Sequence, residues 1–132
     1  MNQTLAQDSE KEKAGNQLFP IFLKLQNFNT LLVGGGNVGL EKLEAMLNNS
    51  PDANITVVAD RYLDEVFTLL EKHPQVKTIH RQFQVSDLEG KELVILATDN
   101  YELHQQIQQL CKVNGILVNV ADTPHLCDFY LG

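Results

Sequence analysis

One short segment constrains this chain more than any other. Thr30-Leu31-Leu32-Val33 reads as a buried strand, and it runs directly into Gly34-Gly35-Gly36-Asn37-Val38-Gly39. Beyond it, Leu43, Met46 and Leu47 continue from Gly39 at helical spacing. A G-x-G-x-x-G pattern is weak evidence alone. Between a strand and a helix, inside a βαβ unit, it becomes specific. Gly34 permits the tight turn, Gly36 lets the backbone approach a pyrophosphate, and Gly39 lets the helix pack close to the strand. The helix N-terminus then offers unpaired N–H groups and the positive end of a dipole to phosphate. A purely structural glycine turn is the plainer alternative. It would spend backbone entropy on three consecutive glycines for no return.

The rest of the chain repeats the alternation. Ile55-Thr56-Val57-Val58-Ala59, Val76 to Phe83, Leu93-Val94-Ile95-Leu96-Ala97 and Ile116-Leu117-Val118-Asn119-Val120 read as strands. Tyr62, Val66, Leu69 and Leu70 mark a second helix, which His73-Pro74 stops. Leu103, Ile107, Leu110 and Cys111 stripe a third, ended by Asn114-Gly115. Near-continuous apolar strands between amphipathic helices predict a three-layer Rossmann-like α/β fold with a mostly parallel sheet. Leu18-Phe19-Pro20-Ile21-Phe22-Leu23-Lys24-Leu25 is apolar and reads as an extended edge segment. Residues 1–16 are polar and aperiodic and read as a disordered tail, which leaves 17–132 as one dinucleotide-binding domain.

Asp60 ends the second strand, about 20 residues beyond Gly39. A carboxylate there accepts hydrogen bonds from adenosine ribose hydroxyls and repels a 2′-phosphate, which favours NAD over NADP. Arg61 follows directly and weakens that preference. The competing role for Asp60 is N-cap of the Tyr62 helix.

Composition removes several function classes. The net charge of −7 has its acids scattered, against nucleic-acid binding. No apolar run has the length of a membrane span and the start shows no signal-peptide pattern, so a cytoplasmic location is expected. Cys111 and Cys127 lack metal-ligand spacing, and Cys111 reads as a small core residue.

Four stretches together resemble the precorrin-2 dehydrogenase family, the N-terminal part of siroheme synthases. They are Leu18 to Leu25, Leu32 to Gly39, Ala97-Thr98-Asp99-Asn100, and Val118-Asn119-Val120-Ala121-Asp122 with Leu126-Cys127-Asp128-Phe129. The resemblance implies NAD-dependent oxidation of the tetrapyrrole precorrin-2 to sirohydrochlorin, with Fe²⁺ insertion in some relatives. It implies cofactor contacts at Asn37, Val38, Asp60 and Arg61, a crevice loop at Thr98, and Asp122 as the proton-handling group. Without it, Asp122-Thr123-Pro124 reads as a turn start. Family members continue into a helical, dimer-forming portion, so a homodimer and full turnover are expected only with that portion present. A nucleotide-sensing module of a transport system is the rival reading. It would lack the Pro20-Ile21-Phe22 opening and the Asn119 to Phe129 stretch.

Other polar residues are assigned plainer roles. His125 reads as a loop histidine, and His73, His80 and His104 as exposed, with no metal-ligand set among them. Asp99 reads as the cap of the helix beginning near Tyr101. Glu41, Lys42 and Glu44 read as a solvated helix face. The substrate's carboxylates would need local cations, for which Lys24 and Arg81 are candidates.

Overall fold

A computed structural model describes residues 17–131; the expected tail at 1–16 lies outside the described residues. The chain forms β1 (Asn29–Val33), α1 (Asn37–Asn49), β2 (Asn54–Ala59), α2 (Asp64–Leu70), β3 (Lys77–His80), β4 (Leu93–Leu96), α3 (Tyr101–Val113) and β5 (Leu117–Val120). Short 3₁₀ turns occupy Leu25–Asn27, Val85–Leu88 and Pro124–Leu126. All four strand pairings are parallel, in the order β3-β2-β1-β4-β5. The expected mostly parallel sheet is therefore wholly parallel among the described residues. β1 is central, with Leu31 opposite Thr56 on one side and Val94 on the other.

Alternation along each strand sorts the core into two layers. Leu32, Ile55, Val57 and Ile95 pack with Leu43, Met46 and Leu47 of α1 and Val66 of α2. Leu31, Val33, Val58, Val94, Leu96, Val118 and Val120 pack with Ile107 and Cys111 of α3. Helices thus cover both faces, which is why the strands read as continuous apolar runs. The chain leaves β1 toward β2 on one side and returns to β4 on the other. That reversal opens a crevice at the carboxyl ends of β1 and β4. Cys111 is fully buried, and burial, aided by Asp128, pushes its thiol up to about 11. It is an inert core group.

Several expectations are corrected. Leu18 to Leu25 forms no strand; Phe19 is 87% and Phe22 99% exposed, and only Leu25 reaches the core. Pro20 has no amide to donate to a ladder, and the segment pairs with neither edge strand, β3 or β5. The outer edge of β5 is covered by its own return segment, where Asp128 N–H donates to the Val118 carbonyl at 2.8 Å. The third strand stops at His80 rather than Phe83. There Arg81 turns away to pair with Asp87, and a 3₁₀ turn replaces a crossover helix.

That crossover is pinned by Asp87, which is buried although charged. It accepts from Arg81 Nη1 at 2.9 Å and Nη2 at 2.7 Å, and from the Gln84 N–H at 2.8 Å. Arg81 first, then the Gln84 amide, hold its carboxyl below the usual carboxylate range against the opposing effect of burial. The resulting stabilisation is present at neutral pH and is lost as the pH falls through the lowered folded-state value. Asp87→Asn is expected to destabilise the domain by about 1–3 kcal/mol at pH 7. In denaturant melts the gap from the wild type should close as the pH drops below about 4; a gap that persists in acid would contradict the ion-pair account.

Candidate functional site

The site is built on the turn from β1 to α1. Gly34 extends the β1–β2 ladder, its N–H donating to the Val58 carbonyl at 3.0 Å. Its φ of 131° lies where side chains are rarely tolerated, and a Cβ there would strike the Ala97 carbonyl after β4. Gly39 lies against the Gly34 carbonyl, so a Cβ on it would collide with backbone. The two glycines let α1 sit directly over the end of β1. A Cβ at Gly36, in contrast, would meet nothing within 4 Å. The loop is open there on the crevice side.

Gly36 is the N-cap of α1 and supplies no side-chain acceptor. The first amide of the helix to meet a carbonyl is that of Leu40, which donates to Gly36 at 2.8 Å. The N–H groups of Asn37, Val38 and Gly39 precede it. No acidic residue occupies the first turn of α1, whereas α2 carries Asp64 and Glu65 in its own. The positive end of α1 is left for an external anion. An open backbone cradle with free donors fits a dinucleotide's pyrophosphate.

The β2–α2 loop is fastened to this cradle. Leu63 N–H donates to the Gly35 carbonyl at 2.9 Å. Tyr62 Oη lies 2.6 Å from the Ile79 carbonyl and 3.0 Å from that of Val57. Burial pushes the Tyr62 phenol up. These ties present Asp60 and Arg61, both exposed, beside the glycine loop. Asp60 is not a helix cap: α2 begins at Asp64 after Leu63, and the Asp60 carbonyl meets His80 Nε2 at 2.9 Å. Its carboxylate makes no hydrogen bond or ion pair among the described residues.

Thr98 follows β4 by two residues. Its Oγ1 lies 2.7 Å from His104 Nε2. His104, expected to be exposed, is 3% exposed on the inner side of α3, in register with Ile107 and Cys111. The α3 cap is also corrected. Asn100, not Asp99, accepts the Leu103 N–H, at 3.0 Å.

Asp122 lies in the turn that leaves β5, where Thr123 N–H donates to the Val120 carbonyl at 3.1 Å. Its φ of 60° makes it the one non-glycine residue with positive φ among the described residues. Asp tolerates that region better than most residues, at a cost of about 1 kcal/mol. Cys127 anchors the turn from below: its Sγ accepts from Val120 N–H at 3.1 Å and donates to the Val120 carbonyl at 3.2 Å. Beside Asp122 is a cavity of about 150 Å³ whose walls include Lys42, Asn119 and Tyr130. Asn119 donates its amide N–H to the Phe129 carbonyl at 2.9 Å, while its Oδ1 is buried with no partner among the described residues.

Gly34, Asp60, Thr98 and Asp122 thus all stand just beyond the carboxyl ends of parallel strands. His125 turns away, toward Tyr101 Oη at 3.2 Å. Arg81 is occupied by Asp87 and is not a free cation. The sequence pattern missed Lys42, His104 and Asn119. No group of three or more His, Cys, Asp or Glu is placed to hold a metal ion among the described residues. No helix among them is long and apolar enough to cross a membrane.

Comparison with known proteins agrees with this geometry. Residues 21–132 match the family described as "Putative NAD(P)-binding", and the chain belongs to that NAD(P)-binding family. Its relatives bear out the resemblance drawn from the motifs. It is 42% identical over 113 residues to a siroheme synthase of Pseudoalteromonas atlantica, covering 86% of this chain and 24% of that protein. It is 40% identical over 113 residues to one of a Psychrobacter species, covering 84% and 22%. Among solved structures, the precorrin-2 dehydrogenase SirC aligns with a TM-score of 0.67 and 26% identity, over 78% of this chain and 50% of SirC. The chain therefore spans about a quarter of these siroheme synthases.

Gly34→Ala and Gly36→Ala separate close packing from open space. The first is expected to cost about 3 kcal/mol, from a disallowed φ and a backbone collision. The second, with φ −89° and free surroundings, is expected to cost under about 1 kcal/mol. Thermal melts check both, and equal losses would contradict the packing described for the loop.

Proposed function

We propose that this domain binds NAD⁺ and oxidises precorrin-2 to sirohydrochlorin in siroheme biosynthesis. The observation that carries the reading is the placement of Asp122. A strained carboxylate borders a cavity on the same end of the sheet as an open pyrophosphate cradle. Such strain persists where a side chain must be aimed.

In this reading the glycine loop and the Asn37, Val38 and Gly39 amides hold the pyrophosphate. Asp60 accepts the adenosine ribose hydroxyls. With Asp64 and Glu65 beginning the next helix, a 2′-phosphate would meet three acids and the single cation of Arg61. This favours NAD over NADP. When bound, the nicotinamide ring supplies the hydride acceptor. Asp122 takes the proton released as the carbon skeleton gains a double bond, so that two electrons and two hydrogens leave the substrate together. Lys42, on the cavity wall, pairs with one of the tetrapyrrole's carboxylates, the role that Arg81 cannot fill.

NAD⁺ at 100-fold excess over its Kd should stabilise the domain by about 2.7 kcal/mol, a Tm rise on the order of 10 °C. NADP⁺ at the same concentration should give a smaller rise. With precorrin-2 present and the family's helical, dimer-forming portion attached to this domain, NADH absorbance should grow, and Asp122→Asn should slow it by about 10²–10⁴-fold. Undiminished turnover would remove Asp122 from this role. Cofactor binding without NADH formation would overturn the oxidation and leave the binding. Asp122→Gly should raise the Tm slightly while abolishing turnover, because it relieves the φ and deletes the carboxylate.

A further inference from the structure

The pair formed by Thr98 and His104 has a definite proton arrangement. The Thr98 backbone N–H points at His104 Nε2 at 3.4 Å. An amide only donates, so that nitrogen is an acceptor and carries no proton. The Thr98 hydroxyl, 2.7 Å from the same nitrogen, must therefore donate its single proton to it. Asn100 N–H donates to Thr98 Oγ1 at 3.1 Å. One hydroxyl lone pair is thereby used and the proton is committed. What Thr98 has left to offer is one acceptor site. Burial favours the neutral imidazole that this arrangement needs, against a smaller opposing pull from Asp99.

Position says which part of a ligand would meet it. Ala97, the residue before Thr98, backs directly onto Gly34. β2, with Asp60, lies on one side of β1 and β4 lies on the other. With pyrophosphate at the glycine loop and adenosine on the β2 side, the remaining half of the dinucleotide falls on the β4 side.

We infer that His104 is a positioning residue: it fixes the Thr98 hydroxyl as an acceptor for a hydroxyl or amide donor on the nicotinamide half of the cofactor. The inference rests on the dinucleotide reading above. A merely structural histidine would fill the space under α3 and leave ligand binding untouched.

Calorimetric titration with two probes separates these roles. NAD⁺ carries the nicotinamide half, and ADP lacks it. Thr98→Val and His104→Phe, each checked by its Tm, should weaken NAD⁺ by about 5–10-fold and leave ADP unchanged. The double variant should bind NAD⁺ no more weakly than Thr98→Val alone, because His104 acts through that hydroxyl. His104→Gln, whose amide oxygen reaches the position of Nε2, should restore NAD⁺ affinity to within about 2-fold of the wild type. If His104→Phe does not fold, Thr98→Val and His104→Gln carry the same comparison. Equal weakening of ADP, additive effects in the double variant, or wild-type NAD⁺ affinity in folded Thr98→Val would each overturn the inference alone. Failure of the wild type to bind either probe would overturn the dinucleotide reading with it.

Discussion

The close approach of α1 to the end of β1 is the contact on which the rest depends. It exists because Gly39 carries no side chain where it meets the Gly34 carbonyl, and because Gly34 carries none where it meets Ala97. One turn therefore ties three elements together: β1, α1 and the exit of β4. Widening that contact by a single methyl group would lift the helix from the sheet and separate its N-terminal amides from the crevice. The apolar layer of Leu43, Met46 and Leu47 against Leu32, Ile55 and Val57 holds the helix at that distance. Fold and phosphate cradle are in this sense one structure, and core packing fixes the site's geometry.

Around the turn, each functional position is presented by a different device. Asp60 and Arg61 are held by backbone and phenol hydrogen bonds from Leu63 and Tyr62. Thr98 is held by a buried imidazole. Asp122 is held by a strained turn that Cys127 anchors from beneath. Charge follows the same economy. The buried Asp87 carboxylate is neutralised by Arg81, just beyond β3, while the crevice keeps its helix dipole uncompensated and one lysine on a cavity wall.

Much of this was legible in the sequence, for local reasons. The glycine spacing and the apolar strands depend on residues near one another in the chain, and pattern reads them directly. The misreadings share a cause: the decisive partner is distant. Leu18 to Leu25 has a strand's composition, but composition does not reveal whether an edge is free to pair. His104 is the exception: its polar identity suggests exposure, while its local phase with Ile107 and Cys111 places it on the buried side of α3. Lys42 adjoins Leu43 on α1, and only the turn after β5 turns its surroundings into a cavity. The left-handed backbone of Asp122 has no sequence signature beyond the tolerance of Asp for it.

The central claim is that the crevice at the carboxyl ends of β1 and β4 binds a nicotinamide dinucleotide in one orientation. The most direct measurement is a titration of the isotopically labelled chain with NAD⁺, followed by its amide NMR resonances. The account predicts the largest movements at Gly36, Asn37, Val38 and Gly39, smaller ones at Asp60 and Thr98, and none at Gly90 or Asn114 on the opposite end of the sheet. Resonances that stay fixed at saturating cofactor, or that move chiefly at that opposite end, would contradict it.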